Sequence, residues 1–190
     1  MERTRSQTGA SGSLALLAAF ALGLTCCAAD GSDAVQTELA GLAARSFAAV
    51  TKIQHGLERP ELASRDFGEG VQAVEATTRS LADLEVDPRA GDGQRLMAIV
   101  YQARAWDDAA QAIEGAPPPA GFDAGQQALL AQVLAEKAFP AKVAAKNSYE
   151  RALRLACRLG VEHLPVTVEI LDGVSRYGGD APSPDRACQP

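Results

Sequence analysis

The chain has 190 residues, of which 24 are acidic and 18 are basic, and its formal net charge is −6. This acidic balance argues against nucleic-acid binding and against electrostatic binding to anionic lipids, because both kinds of binding need clustered Lys and Arg. The hydrophobic content is 47%, yet only 5% of the residues are aromatic. That combination is typical of close-packed, Ala-rich helices in one domain of ordinary size.

An apolar run near the N-terminus predicts an export signal. Arg3 and Arg5 precede an uncharged segment from Leu14 to Leu24. This segment has the length of a secretory signal and is shorter than the roughly 20 apolar residues that a membrane span needs. We therefore expect residues 1–26 to form a signal helix that is cleaved off.

The end of this run, Leu24-Thr25-Cys26-Cys27, resembles the lipobox of bacterial lipoproteins. The resemblance implies that Cys27 is lipidated, becomes the mature N-terminus and holds the protein to the membrane through its acyl chains, palmitate being typical. Cys26 departs from the pattern, which has Gly, Ala or Ser at that position, so processing at Cys26 stays open. Ala28 follows the lipidated cysteine, and by analogy with enteric bacteria this implies the outer membrane rather than the inner one.

Two other fates of the N-terminus stay open. The ordinary signal peptidase could cleave at the small residues before Asp30 and release a soluble, secreted protein. The N-terminal helix could also remain unprocessed. Lipidation and ordinary cleavage both place the mature chain outside the cytoplasm, whereas an unprocessed helix does not require export.

Two cysteines remain in the mature chain, Cys157 and Cys188. In an oxidising compartment they are expected to form a disulfide, which would close a loop of about 30 residues and add roughly 3 to 4 kcal/mol of stability. In the alternative, Cys157 is a small buried hydrophobic residue and Cys188 is a free thiol in the tail.

The rest of the chain predicts an all-α domain of five or six amphipathic helices in antiparallel hairpins, because apolar residues recur at spacings of three and four. The predicted tether, helical domain and flexible Pro-rich tail cover 27–32, 33–178 and 179–190. The first three predicted helices cover about 33–57, 66–86 and 94–114. Their expected core residues are Leu39, Leu42, Phe47, Val50, Ile53 and Leu57, then Phe67, Val71, Val74, Leu81 and Leu84, then Leu96, Val100, Ala103, Ala110 and Ile113.

A rigid loop follows, because Pro117-Pro118-Pro119 cannot form a helix interior. The next helix is expected to start near Asp123. Its predicted core face consists of Leu129, Leu130, Val133 and Leu134. At Pro140 the chain is expected either to kink or to turn back and begin a new helix.

Ala145, Tyr149 and Ala152 are spaced like the small and aromatic residues of the second helix in a tetratricopeptide repeat. The segment from Ala124 to Gly160 therefore resembles such a repeat, which implies a hairpin of two closely packed helices. The first helix lacks the Trp-Leu-Gly-Tyr signature of the family, and no second copy occurs at a period near 34.

A short terminal helix is expected to begin at Pro165 and to end near Arg176. An alternating run from Leu164 to Ile170 also fits a strand, but a lone strand would have no partner in a helical chain.

Few residues in the chain form a pattern typical of a catalytic site. Asp107 and Asp108 follow Trp106, the only tryptophan. Adjacent carboxylates on a helix point about 100° apart, so they cannot act on one substrate atom as a catalytic pair. Arg104 is expected to form an ion pair with one of them.

We predict no metal site, no cofactor and no catalytic residue. His55 and His163 are isolated, and no haem, phosphate-loop or nucleophile motif occurs. Cys157 and His163 lie close in sequence, but we expect that spacing to be coincidental.

The sequence favours an exported, lipid-anchored protein of the cell envelope that is not an enzyme and binds a protein partner. A groove between hairpins, lined by Tyr101, Trp106 and Tyr149, is expected to accept a segment of that partner. Two other classes stay open: a binder of a small apolar ligand between the helices, and an enzyme or enzyme subunit of unknown reaction.

Overall fold

The computed structural model of the chain describes residues 32–58, 63–161, 163–178 and 188. These residues form helices and no strand, which confirms the all-α prediction for this part of the chain. The helices are α1 (Ser32–Glu58), α2 (Ala63–Glu85), α3 (Asp92–Glu114), α4 (Ala124–Leu159) and α5 (Pro165–Arg176). The predicted signal, Cys27 and all of the predicted tail except Cys188 lie outside the described residues.

α3 is the central helix of the bundle. α1, α2 and α4 all pack against it, and α5 packs on α4. The predicted core residues of α3 are buried, and so are several alanines on its other sides. Those alanines are Ala98, Ala105, Ala109 and Ala112. Small side chains at these positions let neighbouring helices approach α3 closely.

The apolar core runs along the bundle from one end to the other. At one end Val35 and Leu39 of α1 pack with Leu84 of α2 and Ala98 of α3. At the other end Ile53 and Ile113 pack with Ala138 of α4. A third cluster joins α3, α4 and α5. The start of α1 and the start of α4 therefore lie towards opposite ends of the bundle.

α1 and α2 cross at two glycines. A Cβ atom on Gly56 would lie 2.6 Å from the backbone nitrogen of Phe67, and one on Gly70 would lie 2.9 Å from the backbone nitrogen of Ile53. Phe47 was predicted as a core residue of α1 but is not buried, since its side chain is 55% exposed.

α4 runs without interruption through Pro140. Of the two alternatives expected at this proline, the turn back is therefore wrong. The segment from Ala124 to Leu159 is one helix rather than the hairpin implied by its tetratricopeptide-like spacing. Pro140 and Glu136 are both exposed. Water can therefore satisfy the Glu136 carbonyl, which would otherwise accept from the N–H that proline lacks, and this allows the helix to continue.

The first part of α4 projects beyond the core. Asp123 caps the helix by accepting a hydrogen bond from the Gln126 backbone over 2.8 Å, yet no side chain from residue 124 to 137 is buried. We call this segment the α4 arm. Leu129 and Val133 were expected in the core and are instead 63% and 42% exposed, because they lie on the side of α4 that faces away from its buried alanines. Leu134, also expected in the core, is half-buried against it.

Gly70 and Gly68 offer a matched pair for testing the α1–α2 crossing. Gly70→Ala should lower the free energy of unfolding by about 1 to 3 kcal/mol, because the new methyl group would overlap the Ile53 backbone. Gly68→Ala meets no atom within 4 Å and should raise it by up to about 1 kcal/mol through helix propensity. Urea unfolding of both variants measures the difference, and equal effects would contradict the close crossing.

Candidate functional site

The three aromatic residues predicted to line one groove do not come together. Tyr149 is buried, with only 3% of its surface exposed. Tyr101 packs at the end of the core where α1 begins. The Arg104 guanidinium lies 5.5 Å from the centre of the Tyr101 ring. Trp106 lies between two core clusters. Tyr101 and Trp106 are five residues apart on one helix, so they point about 140° away from each other.

Trp106 instead lines a cavity of about 290 Å³ where α1, α2, α3 and α4 meet. Its other walls are mostly apolar and include Phe67, Val71 and Pro140. Glu75 and Lys137 also line it. The cavity is slightly smaller than the range usual for small-molecule sites, about 300 to 1,000 Å³.

Cys157 and Cys188 are joined by a disulfide. The bond ties a residue of the predicted tail to the last turns of α4. It also removes Cys157 as a partner for His163, so no thiolate is left at this position for nucleophilic chemistry.

The most polar part of the core is centred on Asp107, whose side chain is only 4% exposed. Its Oδ1 atom accepts hydrogen bonds from Gln111 and from the Tyr177 hydroxyl. Its Oδ2 atom accepts one from the Tyr149 hydroxyl and forms an ion pair with Arg176. The carboxylate thus joins α3 to α4 and to the end of α5. We call these five residues the Asp107 junction.

Gly173 of α5 positions Tyr149 in this junction. The Tyr149 ring lies so close that a Cβ atom on Gly173 would be 2.5 Å from it. Burial raises the pKa of the Tyr149 hydroxyl well above its usual value, and the neighbouring Asp107 carboxylate raises it further. The hydroxyl therefore stays protonated and donates to the carboxylate.

The Asp107 carboxylate has no acceptor position left for a substrate. A carboxylate offers about four lone-pair sites, and four donors occupy them here. A general base must accept a proton from its substrate, so Asp107 could act only by giving up a bond that holds the helices. We interpret the junction as structural.

Asp108, the next residue, is different because its side chain reaches the surface. Protein still surrounds the carboxyl group closely, and this burial, with the nearby Asp107 charge, raises the pKa of Asp108 to about 6. Arg104 was expected to pair with Asp107 or Asp108. It instead forms two hydrogen bonds with Glu169 of α5, a partner 65 residues away that no local spacing could have indicated.

The largest apolar surface left uncovered on one helix lies on α4. Leu129, Val133, Phe139 and Val143 are between 41% and 64% exposed. At 100° per residue they fall within an arc of about 120°, opposite the buried alanines Ala138 and Ala145. We call these four residues the outer face of α4. Apolar side chains gathered on one exposed face mark a binding surface more often than singly scattered ones do.

No protein-family model matches the chain, and the searches of curated proteins and of solved structures found no match either. Among the described residues, no group of three or more His, Cys, Asp and Glu side chains is placed to hold a metal ion. None of the described helices is long and apolar enough to cross a membrane.

Asp107→Asn should lower the free energy of unfolding by about 2 to 4 kcal/mol. The amide group would present a donor where a donor already points, and Arg176 would lose its anionic partner. Urea unfolding at pH 7 measures the loss.

Asp108→Asn is the matched control, since it makes the same chemical change one residue further on. It should stabilise the protein above pH 6, by no more than about 1 kcal/mol because the exposed edge screens the charge. The folded pKa of about 6 lies above the ordinary value of about 3.9, so the charge opposes folding above pH 6. The gain should disappear below about pH 4. A destabilised Asp108→Asn variant, or a neutral Asp107→Asn variant, would contradict the assignment of roles.

Proposed function

We propose that this protein is an exported, lipid-anchored binding module of the cell envelope that captures a protein partner through the outer face of α4 and has no catalytic activity of its own. The observation that carries the proposal is the exposure of Leu129, Val133, Phe139 and Val143 on one face of a helix that extends past the core. An amphipathic helix with an uncovered apolar face is suited to pairing with another helix or to docking in a groove.

The Cys157–Cys188 disulfide supports the exported location, because such bonds persist in oxidising compartments and are rare in the cytoplasm. The proposed attachment is the lipid on Cys27, close before the first residue of α1. On this proposal the protein faces the periplasm, on the outer membrane by preference.

The start of α1 and the α4 arm lie at opposite ends of the bundle. α1 begins at the end of the bundle where Val35 and Leu39 pack with Leu84. The α4 arm leaves the opposite end, where Ala138 packs with Ile113 and Ile53. A domain tethered by its first residues would therefore extend its arm away from the membrane, towards partners on other surfaces of the envelope.

One observation favours a second candidate function, the binding of a small apolar ligand. The cavity at Trp106 has a mostly apolar lining and a volume of about 290 Å³. Trp106→Ala would enlarge this cavity, so a ligand function predicts altered ligand binding, while capture of a protein at the distant Leu129 would be unchanged.

Replacing Cys27 by Ser tests the anchor. Cells fed a labelled fatty acid should incorporate label into the parent protein and none into Cys27→Ser, and the parent should fractionate with the outer membrane. A parent protein that stays in the cytoplasm with residues 1–26 intact would contradict export. An unlabelled but trimmed protein in the medium would remove only the anchor.

Changes on the outer face of α4 test the binding surface. A photo-crosslinking residue at Val143 in intact cells should capture a discrete partner, and Leu129→Gln with Val133→Gln should reduce the yield at least tenfold. The loss of two buried leucine-sized contacts is worth about 3 kcal/mol or more.

Val168→Gln is the matched control. Val168 is 54% exposed but lies on α5, so its substitution should leave the yield unchanged. Equal capture by the double variant and the parent would contradict binding through the outer face.

A further inference from the structure

A second cavity, of about 990 Å³, opens between the first half of α3 and the last half of α4. Arginines are prominent in its walls: Arg95 on α3 and Arg151, Arg154 and Arg158 on α4. We call it the arginine groove. In a chain with a net charge of −6, four arginines around one opening are a local reversal of the overall charge.

Each acidic residue in the walls of the arginine groove already has a basic partner. These ion pairs are Glu85 with Arg151 at 3.5 Å, Asp92 with Arg95 at 3.6 Å and Glu150 with Lys146 at 3.9 Å. The carboxylates therefore neutralise Arg151, Arg95 and Lys146. Among the described residues, they leave the other two arginines of the groove without an ion pair.

Those two arginines, Arg154 and Arg158, are exposed and lie one helical turn apart. Within the part of the chain that the structure describes, neither has a hydrogen bond or an ion pair. Residues four apart on a helix are neighbours on its surface, so the two guanidinium groups can reach a common ligand.

The paired arginines also keep unused donors. The Nε atoms of Arg95 and Arg151 are buried and have no hydrogen-bond acceptor. A buried donor without an acceptor is uncommon, because leaving it unpaired costs free energy. Both atoms lie in residues of the groove wall, where an anion could shift the guanidinium groups to complete their bonding.

We infer that the arginine groove binds a phosphate-bearing anion, held between Arg154 and Arg158 with Arg95 on the opposite wall. Phosphate presents several acceptor oxygens that match the fork of a guanidinium group. The Cys157–Cys188 disulfide also lines the groove and fixes Cys188 to the α4 wall.

The location of the groove gives two sources for the phosphate. Glu85 at the end of α2 and Asp92 at the start of α3 line it, so it lies at the end of the bundle where α1 begins. If the lipid anchor of the proposed function is correct, this end faces the membrane and phospholipid headgroups are within reach. A free phosphate-bearing molecule would need no anchor.

Binding assays on the processed protein, as cells produce it, distinguish these sources. Inorganic phosphate and inorganic diphosphate are titrated by calorimetry at low salt, and vesicles of phosphatidylglycerol are compared with vesicles of phosphatidylcholine by co-sedimentation. Saturable binding of the free anions assigns a soluble ligand. Acyl chains on Cys27 would act equally on both kinds of vesicle, so stronger binding to phosphatidylglycerol than to phosphatidylcholine assigns the headgroup. Either result supports the arginine groove, and equal binding to the two vesicles together with no saturable binding of the free anions would overturn it.

Arg154→Gln with Arg158→Gln should weaken binding at least about tenfold, since hydrogen bonds to two charged groups are lost. Arg45→Gln with Arg79→Gln is the matched control, because these exposed arginines lie on α1 and α2 and their loss changes the net charge equally. The control should stay within about twofold of the parent. Equal weakening by both pairs would show a long-range charge effect and overturn the site.

Arg158→Gln alone provides a second variant if the double variant unfolds, which circular dichroism detects. It should weaken binding several-fold. Deleting the acyl chains by Cys27→Ser should leave calorimetric phosphate binding unchanged, so failure of the anchor and failure of the arginine groove give different results.

Discussion

The buried carboxylate of Asp107 is the constraint on which the arrangement of the last three helices depends. A charge that is 4% exposed is tolerated in a core only when donors surround it. Here the donors come from α3, α4 and the end of α5. Gly173 allows the Tyr149 ring to reach this position. The junction sets where α4 and α5 lie on α3 more precisely than apolar packing alone would, since hydrogen bonds are directional and apolar contacts are not.

In this arrangement one part of α4 stabilises the fold and another part is exposed for binding a partner. The second part of the helix contributes most to the core, through residues such as Ala145, Tyr149 and Ala152. In the α4 arm Leu134 is half-buried against the core and no side chain is fully buried, so most of the arm can contact a partner. The exposed apolar residues Leu129 and Val133 contribute little to folding, and apolar surface exposed to water is unfavourable unless something covers it.

α4 thus carries an apolar surface and contributes to a basic one. Its outer face is apolar around Leu129 and lies towards one end of the bundle, while Arg154 and Arg158 line the arginine groove at the other end. A tether at the start of α1 would place the arginine groove nearer the membrane and the α4 arm farther from it. The two proposals therefore describe one orientation of the protein in the envelope, although each is argued from different residues.

The sequence by itself determined the class of fold, four of the five helices within a few residues, and the pair of cysteines that forms the disulfide. These follow from local rules: apolar spacing, caps such as Asp123 and breakers such as Pro165 act between residues near each other in the chain. Local rules predicted the wrong core face for the first part of α4. An apolar stripe indicates that a face can be buried, but the tertiary structure decides which side of the helix meets its neighbours, and Leu129 faces away from them. Only the tertiary structure decided that Asp107 pairs with Arg176 and Arg104 with Glu169. The two residues of these pairs are 69 and 65 positions apart in the chain, and they meet because α4 packs on α3 and α5 packs on α4.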